Sequence, residues 1–308
     1  MKYLVTGDLH IKTGRLSEIQ SVLNTIVTTS KQCDATIICG DVFDGDCPKP
    51  AEIDMFIDFI LRLCAVNKVY LISGNHGILK TGVNSEMWAH RLSNNLVYNE
   101  TSLVITDSNK SILVEHRAYK ESKFNASGFS NETESCLGLK YDIVLLGHIH
   151  KYQIVNKASP LVIHAGTPYY VTFGEVEDKK GVVILDVDIN HIFHSFVEFD
   201  GIPMYSFIVD EYNLDMVDSA LTYIPKRSKL RLTFNLNSNS LDSLSTINRL
   251  ISKYKAEYHE FKYTMKSQEI QYTQNNDVCK KDIIILFDEF CVKEHVDSQL
   301  KEDVRRLL

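Results

Sequence analysis

The sequence has no apolar run approaching the roughly 20 residues that span a bilayer, and its opening residues enter a strand pattern instead of a signal peptide. A cytoplasmic protein with no membrane partner is therefore expected. It also lacks any C-x-x-C pair. The seven cysteines (Cys33, Cys39, Cys47, Cys64, Cys136, Cys279, Cys291) are odd in number, and Cys39 and Cys64 lie in apolar segments, so reduced structural thiols are expected. Basic residues are outnumbered as well, 33 Lys and Arg against 40 Asp and Glu. A net charge of -7 disfavours binding to phosphate backbones unless divalent cations and local Lys or Arg compensate. No internal repeat is evident. What the 308 residues do have is 44% hydrophobic and 24% charged side chains, enough for one large domain with a full core and a smaller one beside it.

The first third alternates strands and helices. Tyr3 to Thr6 reads as a strand, Ser17-Glu18-Ile19-Gln20 as a capping box, and Ile19, Val22, Leu23, Ile26 and Val27 as one apolar helical stripe. A second unit follows, with strand 35–39, a loop holding Pro48 and Pro50, and a helix placing Ile53, Phe56, Ile57, Ile60 and Leu61 on one face. Strand 69–73 completes a βαβαβ pattern, and apolar strands between amphipathic helices imply a mainly parallel sheet with its ligands beyond the carboxyl ends. From about Asn95 shorter strands predominate (Ser102 to Thr106, Ser111 to Val114, Asp142 to Leu146, Leu161 to His164, Val182 to Asp188, Ile192 to Phe199), implying a second sheet packed on the first. Residues 1–200 are thus one domain. Residues 201–265 read as a small α+β cap, with strands Tyr205 to Val209 and Leu230 to Leu236, a short helix near Asp215, and an amphipathic helix from Leu241 to Tyr254. The polar stretch 266–281 reads as a linker, and 282–308 as a helical tail.

Four strands end in metal-ligand types. Gly7-Asp8-Leu9-His10, Gly40-Asp41-Val42-Phe43-Asp44, Gly74-Asn75-His76 and Gly147-His148-Ile149-His150 each follow an apolar strand. Two divalent metals about 3.5–4 Å apart can generate a hydroxide and stabilise in-line displacement at phosphorus, and such a pair takes mixed O and N donors. Asp8, His10, Asp41, Asn75, His148 and His150 supply them, with Asp41 as the natural bridging carboxylate. Asn75 adds an oxygen without more negative charge. His76, next to it, would lie beside the metals as general acid or transition-state stabiliser. His90 and His164 have no such position and read as structural. Lys12, Lys151, Lys157, Lys179, Lys180 and Arg117 could meet phosphates, although scattered basic residues usually face solvent.

The ordered set D-x-H, G-D-x-x-D, G-N-H, an isolated His116 and G-H-x-H resembles the calcineurin-like metallophosphoesterase family. Gly166-Thr167-Pro168 and the glycine-led strand at Gly181-Val182-Val183 are further similar to the SbcD-type DNA repair nucleases, including their members in T-even-like bacteriophages. The resemblance implies an α/β fold, a β-sandwich flanked by helices, with Asp8, His10, Asp41 and His150 on one metal and Asp41, Asn75, His116 and His148 on the other. It also implies a manganese-dependent DNA exonuclease, extending to single-strand endonuclease cleavage, in recombination and repair. Sites rich in O and N suit Mn²⁺, with iron, zinc and magnesium as alternatives. The family usually has a carboxylate after G-N-H, whereas Gly77 stands here; Asp44 is then the candidate to orient His76, or else a loop cap. His116 is followed by Arg117 where a small residue is expected, so a strand-end histidine is its alternative role.

Other functions remain on the same residues: a phosphatase or small-molecule phosphodiesterase, or a DNA-tethering subunit with weak catalysis. The expected partners are DNA and, by the resemblance, an ABC-type ATPase bound through the tail; a homodimer is also compatible with the type. In the tail Val296, Leu300, Val304, Leu307 and Leu308 form one apolar stripe, suited either to a partner groove or to a hairpin with Ile283, Ile284, Leu286, Phe287 and Phe290.

Overall fold

A computed structural model describes residues 1–78, 84–125, 128–210, 212–235, 250, 252–254 and 260–265. The linker (266–281), the helical tail (282–308) and most of the helix expected over 241–254 lie outside the described residues.

Strands β1 (Lys2–Thr6), β2 (Ala35–Ile38), β3 (Lys68–Ile72) and β4 (Leu96–Asn99) run parallel, joined by helix α1 (Leu16–Ser30) after β1 and helix α2 (Pro50–Val66) after β2. The second sheet has the order β10-β11-β9-β6-β5, formed by β5 (Ser102–Asp107), β6 (Lys110–Glu115), β9 (Ile143–Leu146), β10 (Gln153–Asn156) and β11 (Leu161–His164). A short hairpin, β7 (Lys123–Asn125) and β8 (Gly128–Phe129), precedes β9. Strands β12 (Gly181–Val187) and β13 (Ile192–Glu198) add antiparallel to the free edge of β1. This corrects the expected membership: they extend the first sheet, not the second. Their apolar content serves either sheet equally, so sequence alone does not decide it.

Alternation along β1 shows how the layers arise. Tyr3 and Val5 point into the core between the sheets with Ile37, Ile72, Val183, Ile112, Ile143, Leu145 and Ile163, while Leu4 points to the helix layer. All five residues of the α1 stripe are buried there. The helix starts at Leu16 with Arg15 as its cap and no side-chain capping bond, so the capping box expected from Ser17 does not form. Ser17 already lies inside the first turn. In α2 the buried face is Phe56, Phe59, Ile60, Leu63 and Cys64, whereas Leu61 is 44% exposed. The stripe is rotated from the expected one because Phe59 and Leu63 share a face with Phe56 and Ile60 at i, i+3, i+4 and i+7. The α2 N-terminus is held by Glu52, which accepts from the Lys49 N–H at 2.7 Å and the Thr13 N–H at 2.5 Å.

A third sheet, β14 (Met204–Val209), β15 (Lys229–Phe234) and β16 (Glu260–Met265), is parallel, and helix α3 (Leu214–Tyr223) buries Val217 and Leu221 in its core. β16 was not anticipated. Lys229 of β15 is fully buried and reaches Glu18 of α1, Nζ to Oε2 2.5 Å, joining this sheet to the larger unit. The described cysteines are free thiols, with Cys39, Cys64 and Cys136 buried. No helix among the described residues is long and apolar enough to cross a membrane.

Candidate metal centre

Parallel pairing aligns the carboxyl ends of β1, β2 and β3, with Thr6 opposite Ile38 and Ile38 opposite Leu71. In the second sheet Glu115 lies opposite Leu146, so His116 and Gly147 leave their strands side by side. All the strand-end motifs therefore emerge at one end of the sandwich. Four of the donors are held in left-handed backbone: Asp8 (φ 51°), His10 (φ 41°), Asp41 (φ 48°) and His148 (φ 76°). For residues with a Cβ this costs about 1–3 kcal/mol each, an expense that packing alone does not need at three neighbouring loops. Gly147 permits a close approach; a Cβ there would collide with the Cys39 carbonyl and stand 2.6 Å from His116 Nδ1.

Two clusters of donors meet at Asp41. In the first, His10 Nε2 faces His150 Nε2 at 3.0 Å and Asp41 Oδ2 at 3.8 Å. Asp8 joins this group, with donor atoms of Asp8, His10 and His150 all within 4.8 Å of one another. In the second, His116 Nε2 lies 3.2 Å from the same Asp41 Oδ2 and 3.0 Å from Asn75 Oδ1, which is 2.7 Å from His148 Nδ1. One carboxylate oxygen thus faces both clusters. The Asp41 Oδ1 accepts from the His76 N–H at 2.8 Å.

Two of the donor residues' polar atoms are buried without a hydrogen-bond partner. Asp8 is fully buried; its Oδ1 accepts from the His148 N–H at 2.9 Å, but its Oδ2 has no hydrogen bond, and neither has His10 Nδ1. Burial raises the Asp8 carboxyl to about 6 and lowers His10 to about 4. Buried polar atoms with no partner are rare and costly. A cation beside Asp8 would satisfy its Oδ2, and the donor set of carboxylate, amide and imidazole suits divalent metals.

The histidines are also fixed by what their other nitrogens do. His116 Nδ1 donates to the Cys39 carbonyl at 2.7 Å, leaving Nε2 toward Asp41. His150 Nδ1 is bound by Glu175 Oε1 at 2.9 Å, leaving Nε2 toward His10. Such outer partners set the tautomer and orientation of metal-binding imidazoles. Burial opposes charge on both Asp41 and His116, but their mutual hydrogen bond and attraction outweigh it: the carboxyl falls to about 2 and the imidazole rises to about 9. A bound divalent cation would take the place of that proton.

His76 stands at the rim with its ring 4.9 Å from that of His10, and its Nδ1 donates to the Asp44 carbonyl oxygen at 2.9 Å. Asp44, expected to orient His76, meets it through its main-chain carbonyl and not its carboxylate. The Asp44 carboxylate instead meets Lys12 Nζ at 2.5 Å, with His10 Nδ1 3.7 Å away. The backbone also accounts for the lack of a side chain after His76. Gly77 has φ +76°, and a Cβ there would lie 2.7 Å from Ser85 Oγ and 3.4 Å from Glu86 Oε2. Glu86 is buried beside Ser85, whose hydroxyl donates to its Oε2 at 3.1 Å, and burial raises its pKa.

Sequence reasoning missed Glu175. It sits in a 3-10 turn (Phe173–Glu175), accepts from Thr172 N–H at 3.0 Å and Val171 N–H at 3.1 Å, and pairs with the buried Lys180 at 2.8 Å. Burial opposes its charge, but His150 and Lys180 hold its pKa down to about 2. Lys180 is therefore not available to a phosphate, and Arg117, Lys151 and Lys179 are each paired with an acidic side chain. His164 is fully buried between Ser122 Oγ and the Gly147 carbonyl, both at 2.9 Å, under the His148 loop. His90 bonds the Met87 carbonyl at 2.7 Å. Neither lies among the donors.

A helix-flanked sandwich of two sheets, with carboxylates and imidazoles gathered at one end, defines a metal-binding α/β protein. The sequence matches the calcineurin-like phosphoesterase superfamily domain over residues 1–190, and the chain belongs to that superfamily, whose members bind divalent metals. No curated protein matches it significantly. Among solved structures it is similar to a predicted phosphoesterase of Streptococcus pneumoniae TIGR4 (12% identity, TM-score 0.35, 64% of this chain and 88% of that one). It is also similar to a hypothetical protein of Pyrococcus horikoshii OT3 (13%, 0.37, 73% and 94%) and to the Pseudomonas putida nuclease MPE (16%, 0.35, 59% and 83%).

Proposed function

We propose that this phosphoesterase is a two-metal DNA phosphodiesterase, an exonuclease extending to single-strand cleavage, that acts in recombination and repair with an ABC-type ATPase. The observation that carries the reading is the pair of donor clusters sharing Asp41 Oδ2. Asp8, His10, Asp41 and His150 would hold one cation and Asp41, Asn75, His116 and His148 the other, with Mn²⁺ the best-suited ion. When bound, the cations supply an activated water and neutralise charge at phosphorus. The protein's own contribution is orientation and proton transfer. His76 has committed Nδ1 to Asp44, so Nε2 is the nitrogen left to assist the leaving oxygen. Asn75 contributes an amide oxygen and no further negative charge beside the substrate. Residues 201–265 would act as a cap that positions DNA, and the tail, residues 282–308, would dock the ATPase. The specific choice of DNA, and its recombination context, rest on the resemblance to SbcD-type nucleases and their T-even-like phage members.

The test is direct. Purified protein with Mn²⁺ should degrade linear duplex or single-stranded DNA, and Asp41→Ala should abolish this. Metal-loaded protein that hydrolyses a chromogenic phosphodiester but no DNA would make it a small-molecule phosphodiesterase instead. For the partner, truncation after Gln274 should leave a folded, metal-binding chain that no longer co-purifies with the ATPase; retained binding would remove the tail from that role.

A further inference from the structure

Among the described residues, one large apolar side chain stands open to water against the donor clusters. Phe124, on β7, is 43% exposed, and its ring meets that of His148 edge to face with centroids 5.9 Å apart. His148 in turn contacts His116 at 5.3 Å, so Phe124 borders the Asn75, His116 and His148 side of the centre. The backbone beneath it is firmly tied. Lys123 N–H donates to Gln153 Oε1 at 2.9 Å and its carbonyl accepts from Gln153 Nε2 at 2.8 Å. One residue earlier, Ser122 is bonded to His164, which also holds Gly147, so the hairpin and the His148 loop share one anchor. An anchored aromatic ring left half in water beside a reactive centre is suited to a flat apolar ligand rather than to the core.

We propose that Phe124 is a stacking platform for a nucleobase, and that the chain acts on base-bearing phosphodiesters with the base resting on this ring. The inference rests on the nuclease reading above and deepens it, because a platform one ring away from His148 holds the nucleotide by its base while its phosphate meets the donors. Every base has a π-face, so the contact carries little sequence preference. A phosphomonoester without an aromatic ring gains nothing from it. The alternative role for Phe124, packing that merely steadies His148, differs in a measurable way: it acts on metal binding and does not distinguish a base from its absence.

The experiment uses the full chain with Mn²⁺ and oligonucleotides in which one abasic nucleotide is scanned through the terminal positions. For wild type, kcat/KM should fall by about tenfold or more at one abasic position, the range expected for loss of one base–aromatic stack. Phe124→Ala should lower cleavage of the unmodified oligonucleotide by a similar factor, lose the abasic penalty at that position, and keep wild-type Mn²⁺ stoichiometry by calorimetry. Phe124→Trp should restore both the rate and the penalty. Unchanged kcat/KM in Phe124→Ala, or a loss equal on all oligonucleotides and accompanied by loss of metal, would overturn the platform while leaving the nuclease reading intact. Wild type that cleaves a chromogenic diester but no oligonucleotide would instead remove the nuclease reading, and this inference with it.

Discussion

His76, His116 and His150 each commit Nδ1 to a partner outside the donor set, and that division of labour predicts separable effects. Glu175 touches only His150 among the donors, and it holds the ring by Nδ1. Glu175→Gln should therefore weaken Mn²⁺ binding by about 10- to 100-fold, the usual effect of losing an outer partner, with turnover largely recovered at saturating metal. Titration calorimetry beside a metal-dependent rate curve checks this, and unaltered affinity would show that His150 needs no such support. His76 makes the opposite prediction. Its Nδ1 is bound to a carbonyl outside the donor set, so His76→Ala should keep near-normal metal content while losing about two to four orders of magnitude in turnover. Metal lost along with activity would place His76 among the ligands, where its closeness to His10 and Asp41 would allow it.

At the scale of elements, parallel strands with glycine turns deliver the chemistry, and much of this was legible beforehand. Continuous apolar strands ending in G-D, G-N-H and G-H-x-H carry both a structural and a chemical signal, so Asp8, His10, Asp41, Asn75, His148 and His150 could be picked out together. Glu175 carried no such signal: it lies 25 residues from His150 in an acidic stretch and reaches it only because the 3-10 turn folds back. The placement of β12 and β13 depended on which sheet edge was free, and the α2 face on which of two overlapping apolar stripes met α1. Asp44 shows a subtler limit, since sequence names a side chain and cannot show that the backbone makes the contact. Asp44→Asn should accordingly leave kcat close to wild type. A loss comparable with that of His76→Ala would return the orienting role to the carboxylate.

Over the whole molecule, the C-terminal sheet is tied to the phosphoesterase unit by the buried Lys229–Glu18 pair. The second Glu18 oxygen has no hydrogen-bond partner, so the Lys229 ammonium is what offsets its burial. Lys229→Met should thus destabilise the protein by about 3–5 kcal/mol, the cost of leaving a buried charge without its partner. Urea unfolding would register this as a lower midpoint, and an unchanged midpoint would mean the carboxylate finds another partner or takes up a proton. The central claim concerns the other end of the sandwich, where Asp41 faces both donor clusters. Crystals grown with Mn²⁺ and measured for anomalous scattering test it most directly. The account predicts two peaks about 3.5–4 Å apart, one beside Asp8, His10 and His150, the other beside Asn75, His116 and His148, with Asp41 touching both. A single peak, or two peaks with Asp41 bound to only one of them, would contradict it.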